Sequence, residues 1–223
     1  MSVKTRARMS GMGFYPQAQE TTLLQVGAGG IGSWFAFLAM SSGIKDIYLF
    51  DDDTVEVHNI GGQFYNTTNC GKHKTICLKQ SIKAYSAEDI NTFETRWNGM
   101  YNPIMVSCVD NMKTRKEMFD LWKSKENREL FLDGRLGPEN YEVYFIRKGD
   151  EATYEENLFD DADVPDLACS MKQTKYMAFG IASKMMENLC NYLTNKKLGI
   201  DAYRVPIIEK HFSNIKRTEY VYR

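Results

Sequence analysis

"LLQVGAGGIGSWFAFLAM", residues 23–40, is the stretch on which the fold turns. A short apolar run, Leu23 to Val26, stops at Gly27, and an apolar block from Ile31 to Met40 follows before Gly43. The first run has the length of a buried strand, and the second reads as a helix buried on most sides. Between them Gly27-Ala28-Gly29-Gly30-Ile31-Gly32 spells G-x-G-x-x-G. Glycines at that spacing permit a tight turn and close backbone approach, so that a phosphate can rest on the free N–H groups of a helix N-terminus. A glycine-rich turn also serves plain strand–helix packing, but its place between strand and helix favours nucleotide binding.

Outward from this unit, Ile47 to Phe50 is a second buried-strand pattern, and Asp51 follows it, nineteen residues past Gly32. A doubly wound nucleotide site keeps an acid there to accept hydrogen bonds from ribose hydroxyls. Asp52 reads as a solvated turn residue, while for Asp53 a cap or turn role and a site role are balanced. Lys72 to Tyr85 has helical spacing, with Ile76, Leu78, Ile82 and Tyr85 facing inward. Ile90 to Arg96, Ile104 to Val109 and Leu130 to Asp133 read as strands, with a helix from Asn111 to about Lys125 between the last two.

This alternation predicts a doubly wound, Rossmann-like α/β fold with a mostly parallel sheet covered on both faces. Tyr141 to Ile146 alternates at period two and suits an antiparallel strand. Tyr203 to Tyr222 resembles a terminal hairpin around Ser213-Asn214, so the antiparallel strands gather at the C-terminal end. Eight of the seventeen residues from Asp150 to Asp166 are acidic and periodicity is lost, which predicts a mobile crossing loop over 150–168. Helical patterning returns from Met171 to Leu193. Residues 1–223 are read as one domain, with 1–20 as an N-terminal arm.

At 223 residues and 43% hydrophobic content, the chain supports one substantial core. Its 28 Lys and Arg nearly balance 29 Asp and Glu, so no basic field argues for nucleic acid. No run approaches the roughly 18 to 20 apolar residues of a membrane helix, and no apolar segment follows the basic start. A cytoplasmic protein is the expectation. Five cysteines without a C-x-x-C pair read as reduced thiols, and His58 and His73 match no standard metal spacing.

Up to this point a nicotinamide dehydrogenase fits equally well. "DDDTVEVHNIGGQFY" (51–65), "GKHK" (71–74), "VSCVDNMKTR" (106–115) and "FLDGRLG" (131–137) decide between them, because in that order they resemble the ThiF/MoeB family of ATP-dependent adenylyltransferases, which includes the ubiquitin-activating enzymes. The resemblance runs from about residue 21 to residue 135. It implies that Gly27, Gly29, Gly30 and Gly32 line the nucleotide and that Asp51 holds the ribose. It also implies that Asn59 and Lys74 contact ribose or phosphate, with Gln63 in the same signature, and that Asp110 places Mg2+.

The chemistry asks for such residues independently. A carboxylate attacking the α-phosphate of ATP builds charge on phosphoryl oxygens, which a lysine and a metal ion offset. Taken singly, Lys74 also reads as a solvated helix residue and Asp110 as an ordinary helix cap.

Two departures stand out. The family signature Asn-x-x-Arg-Gln reads here Asn59-Ile60-Gly61-Gly62-Gln63, with Gly62 where the arginine belongs. Members of the family commonly receive an arginine from the partner subunit's N-terminal segment, a role open to Arg8 or Arg6, while Arg115 and Arg135 have weaker claims. The zinc-binding C-x-x-C pairs of many relatives are absent, so a short, zinc-free form is expected. Cys169 follows the acidic stretch and precedes a helix, where a thiolate is electrostatically favoured as a nucleophile, although a buried structural cysteine is an equally plain reading.

The expected function is therefore adenylation of a carboxylate, by resemblance the C-terminal glycine of a ubiquitin-like or sulfur-carrier protein, in a homodimer. The alternatives are a catalytically degenerate binding or scaffold protein, motivated by Gly62, and an NAD-dependent oxidoreductase, motivated by the glycine turn with Asp51.

Overall fold

The apolar runs of the sequence pair into one eight-stranded sheet. In the computed structural model, which describes residues 10–160 and 174–223, the elements follow in chain order. The first half comprises α1 (Tyr15–Ala18), β1 (Thr22–Val26), α2 (Gly30–Ser41), β2 (Asp46–Phe50), 3-10 turns at Val57–Gly61 and Thr67–Asn69, α3 (Lys74–Ser86), β3 (Asn91–Phe93) and β4 (Ile104–Ser107). Next come α4 (Met112–Lys123), β5 (Leu130–Leu136), β6 (Asn140–Arg147), α5 (Glu151–Glu155), α6 (Lys175–Leu198), β7 (Ile208–Phe212) and β8 (Arg217–Val221). The strand order is β3-β2-β1-β4-β5-β6-β7-β8, parallel as far as β5 and antiparallel from β6 onward. The chain winds outward from β1 in both directions, so the crevice between the ends of β1 and β4 is the switch point where open α/β sheets bind ligands.

Alternation along the strands splits the core into two layers. Leu23, Ile47, Leu49, Val106, Leu130 and Leu132 face α2, α3 and α6, while Leu24, Val26, Phe50, Met105 and Phe131 face Met118, Phe119 and Trp122 of α4 and Tyr154 of α5. Val26, Phe50, Ser107 and Asp133 lie in one register row across four strands. The residues after that row form the site.

Several expectations from sequence need correction. Tyr85 is 70% exposed, not inward, because α3 ends one residue later at Ser86 and is capped by Ala87 in the left-handed conformation; Cys77 joins Leu78 and Ile82 in the core while Ile76 is only half-buried. The strand expected over Ile90–Arg96 shrinks to three residues. The acidic stretch does not begin as a loop: Glu151–Glu155 is helical, and its acids are paired, Glu151 with Arg128 (2.9 Å), Glu155 with Lys123 (2.6 Å) and Asp150 with Arg223 (2.7 Å). Pairing with cations on neighbouring elements removes the repulsion that charge-run reasoning assumes. The rest of that expected loop lies largely outside the described residues, as do Cys169, Arg6 and Arg8. No helix among the described residues is long and apolar enough to cross a membrane.

Candidate functional site

The glycine turn closes between β1 and α2 because only glycine fits twice. Gly27 has φ +96°, and a Cβ there would lie 2.4 Å from the Cys108 carbonyl oxygen; a Cβ on Gly32 would lie 2.0 Å from the Gly27 carbonyl oxygen. The first helical bond of α2 runs from Ser33 N to Gly29 O (3.1 Å), so the amides of residues 30–32 stand at the open end of the helix. Nothing lies within 4 Å of where a Gly29 Cβ would be. Those amides and the helix dipole offer positive potential to an anion.

Asp51 closes the other side. Its Oδ2 accepts from Ala28 N (2.6 Å) and its Oδ1 from Asp53 N (2.9 Å). Burial pushes the Asp51 carboxyl up, with the Ala28 amide and the Lys74 charge drawing it part of the way back. Lys74 opens α3 with its side chain only 8% exposed, and its Nζ meets Asp53 Oδ2 at 2.6 Å while its backbone N donates to Asp53 O (3.0 Å). The loop after β2 is pinned to the start of α3 by Val55 N to Lys72 O (2.8 Å) and a Thr54–His73 bridge. A buried cation is thereby held beside the glycine turn and Asp51. Asp52 instead pairs with exposed Arg96 (3.0 Å) on the outside.

The stretch Asn59 to Tyr65 lies against the first turn of α2. Trp34 Nε1 donates to Gly62 O (3.0 Å), Phe64 N to Ser33 Oγ (3.0 Å), and Tyr65 hydroxyl to Ala28 O (2.7 Å). Asn59 is buried and its Oδ1 accepts from Glu56 N (2.8 Å), so its side chain caps the 3-10 turn. Gln63 is buried with Oε1 lacking a partner. Gly62 brings no cation, and its carbonyl is already occupied.

Asp110 follows β4, is exposed, and takes a 3.4 Å contact from Asn111 Nδ2. It is not the helix cap: Asn111 caps α4, its Oδ1 accepting from Thr114 N (2.8 Å). Arg115 and Arg135 are both tied to the fully buried Asp133, at 2.8 and 2.9 Å, and Arg115 Nη2 also donates to Val109 O (2.7 Å). Arg135 stacks 4.1 Å over the Tyr144 ring. The His58 and His73 rings lie near Glu56 (3.3 Å) and Glu94 (3.9 Å), and among the described residues no three His, Cys, Asp or Glu cluster as for a metal.

The structure thus brings the glycine turn, Asp51, Asp53 and Lys74 into one linked group, buries Asn59 and Gln63 in the segment that packs on the first turn of α2, and sets Asp110 after the neighbouring parallel strand β4. Sequence reasoning passed over Gln25 and Tyr65, which both bond the turn's carbonyls. A glutamine within an otherwise apolar strand was the visible sign of the first, and nothing local marked the second.

Among known proteins the chain is similar to ubiquitin-like modifier-activating enzyme 5 of Dictyostelium discoideum, 28% identical over 122 residues covering 45% of this chain and 32% of that protein. It is 22% identical to the Aedes aegypti enzyme of the same name, covering 84% of this chain and 54% of the relative. The fold superposes on PaaA with a TM-score of 0.71 at 19% identity, covering 95% of this chain and 67% of that one. It superposes on E. coli MccB, solved with ATP, with a TM-score of 0.70 at 13% identity, covering 95% and 66%. At those identities the structural likeness establishes the fold. The ThiF family itself matches across residues 4–217, almost from end to end, and the chain belongs to that family.

Proposed function

We propose that the chain catalyses ATP-dependent adenylation of a carboxylate, the C-terminal glycine of a ubiquitin-like protein, sulfur carrier or peptide. A carboxylate oxygen bonds to the α-phosphorus, the bond from that phosphorus to the bridging oxygen breaks, and pyrophosphate leaves with the electron pair. The observation that carries this reading is the buried Lys74, held by an exposed Asp53 next to Asp51 and the glycine turn. A hydride-transfer site has no need of a buried cation at the phosphates, whereas phosphoryl chemistry does. Asp53 serves as the resident partner that a triphosphate displaces.

In this reading the amides of the turn carry phosphate, Asp51 accepts from the ribose hydroxyls, and Lys74 neutralises the phosphoryl oxygens. Asn59 and Gln63 line the same wall. A single exposed Asp110 suits Mg2+, which favours one or two carboxylates plus substrate phosphates and water over a dedicated protein cage. When bound, Mg2+ would offset charge on the phosphates. The acceptor step would fall to Cys169 or to a separate sulfur or amine donor, and Arg8 of a second copy would supply the cation that Gly62 lacks.

The chain spans only 32% and 54% of the two curated relatives, one reason their whole activity is carried over here as a proposal. MccB was solved with ATP, and enzyme 5 is named for activating a ubiquitin-like modifier, which supports the substrate class. A second reading, a binding module without turnover, is favoured by Gly62 alone. Calorimetry with ATP and with NAD+ separates the classes: tight ATP binding is expected, and preference for NAD+ would sink the adenylation reading.

A further inference from the structure

We propose that Gln25 is a positioning residue for the nucleotide, turning the carbonyl of Gly27 away from the phosphate seat and tying it to the first turn of α2 through the carbonyl of Gly32, with Tyr65 holding the carbonyl of Ala28 in the same way. Gln25 is fully buried in β1, and its Nε2 donates to Gly27 O (2.9 Å) and to Gly32 O (2.8 Å). Its Oε1 is buried without a partner. A leucine or methionine would fill the strand position without burying an unmet Oε1, at the loss of the donor to Gly27 O. What the amide adds is a hold on two carbonyls of the turn.

The electrostatic consequence follows from the geometry. A carbonyl oxygen facing a phosphate repels it, while an N–H attracts it. With the carbonyls of residues 27 and 28 each taken by a side-chain donor, and Ala28 N taken by Asp51, the groups left toward the open space beside Gly29 are helix amides. Tyr65 suits this duty because burial raises its phenol well above the ordinary range, which keeps it a donor. The third glycine of the motif gains a further reason here: a Cβ on Gly32 would lie 2.8 Å from Gln25 Nε2.

The inference rests on the nucleotide reading above, and its test keeps the two apart. Gln25→Met, Gln25→Glu and Tyr65→Phe are compared with the parent protein for ATP affinity by calorimetry well below the melting temperature, and for amide hydrogen exchange over residues 28–33. Loss of these hydrogen bonds is expected to weaken ATP binding by about tenfold in Gln25→Met and about threefold or more in Tyr65→Phe. Gln25→Glu offers a donor only while its carboxyl is protonated, and burial raises the pH at which that proton is lost. Its affinity relative to the parent is therefore expected to recover as pH falls, a trend absent from Gln25→Met.

Lowered melting with ATP affinity within twofold of the parent in both Gln25→Met and Tyr65→Phe would overturn the inference. If the parent binds no ATP, the nucleotide reading fails on its own. Exchange then decides the hold on the turn: faster exchange over 28–33 with unchanged β4 amides supports it, and equal exchange overturns it. Should Gln25→Met not fold, Tyr65→Phe, which removes only a hydroxyl, carries the same two measurements.

Discussion

Asp51 and Lys74 show how single residues hold the account together, because each costs or spares stability for a reason that function explains. Burial raises Asp51 above its ordinary 3.8, so ionising it works against the fold: its contribution is best below that value and is lost as pH rises through the folded pKa. Asp51→Asn removes the charge and keeps an acceptor for Ala28 N. The unliganded variant is expected to melt higher than the parent near pH 7 and to gain less from added ATP, as thermal melts with and without nucleotide would show. Lys74→Met replaces a buried cation whose partner Asp53 is 65% exposed and can return to water. Its stability is expected to stay within about 1 kcal/mol of the parent, while steady-state turnover with ATP falls by at least about a hundredfold. An unchanged rate would remove Lys74 from the chemistry.

The elements were legible in the sequence where burial follows a simple period, and obscure where tertiary contacts overrule it. β1, α2 and β2 could be read directly, since length and apolar pattern leave little choice. The turn of α3 at Tyr85 could not, because the helical period continues while the helix stops at Ala87. Nor could the short helix at Glu151–Glu155, whose acids, with Asp150 before it, look repulsive until Lys123, Arg128 and Arg223 arrive from distant parts of the chain. Residues 27–32 and 51 were visible by spacing, and 74 and 110 only through the family resemblance, whereas Gln25 and Tyr65 act through bonds that appear only when the segments meet.

Between elements, Asp133 of β5 is a fully buried tie. Burial pushes its carboxyl up, but Arg115 of α4 and Arg135 overcome that and hold it below the ordinary 3.8. Tyr154 of α5 adds a hydrogen bond at 2.9 Å. A lowered folded pKa gives stability that is fully present above the unfolded value and is lost as pH falls through the folded one. Asp133→Asn leaves two buried guanidinium groups short of charge and is expected to cost about 3–5 kcal/mol by urea denaturation. A cost below 1 kcal/mol would mean that the cluster contributes little.

On the scale of the whole molecule, the glycine turn, Asp51 and Asp110 follow the carboxyl ends of β1, β2 and β4, around one switch point. The antiparallel strands β6 to β8 extend the sheet on the side away from β3. The same scale defines the central test, because adenylation is reversible and leaves a signature that binding alone does not. With ATP, Mg2+ and a carrier or peptide ending in a free carboxylate, labelled pyrophosphate is expected to enter ATP at a rate that depends on that carboxylate and collapses in Lys74→Met. Absence of exchange with every such carboxylate, in a protein that binds ATP, would contradict adenylation and leave a binding module in its place.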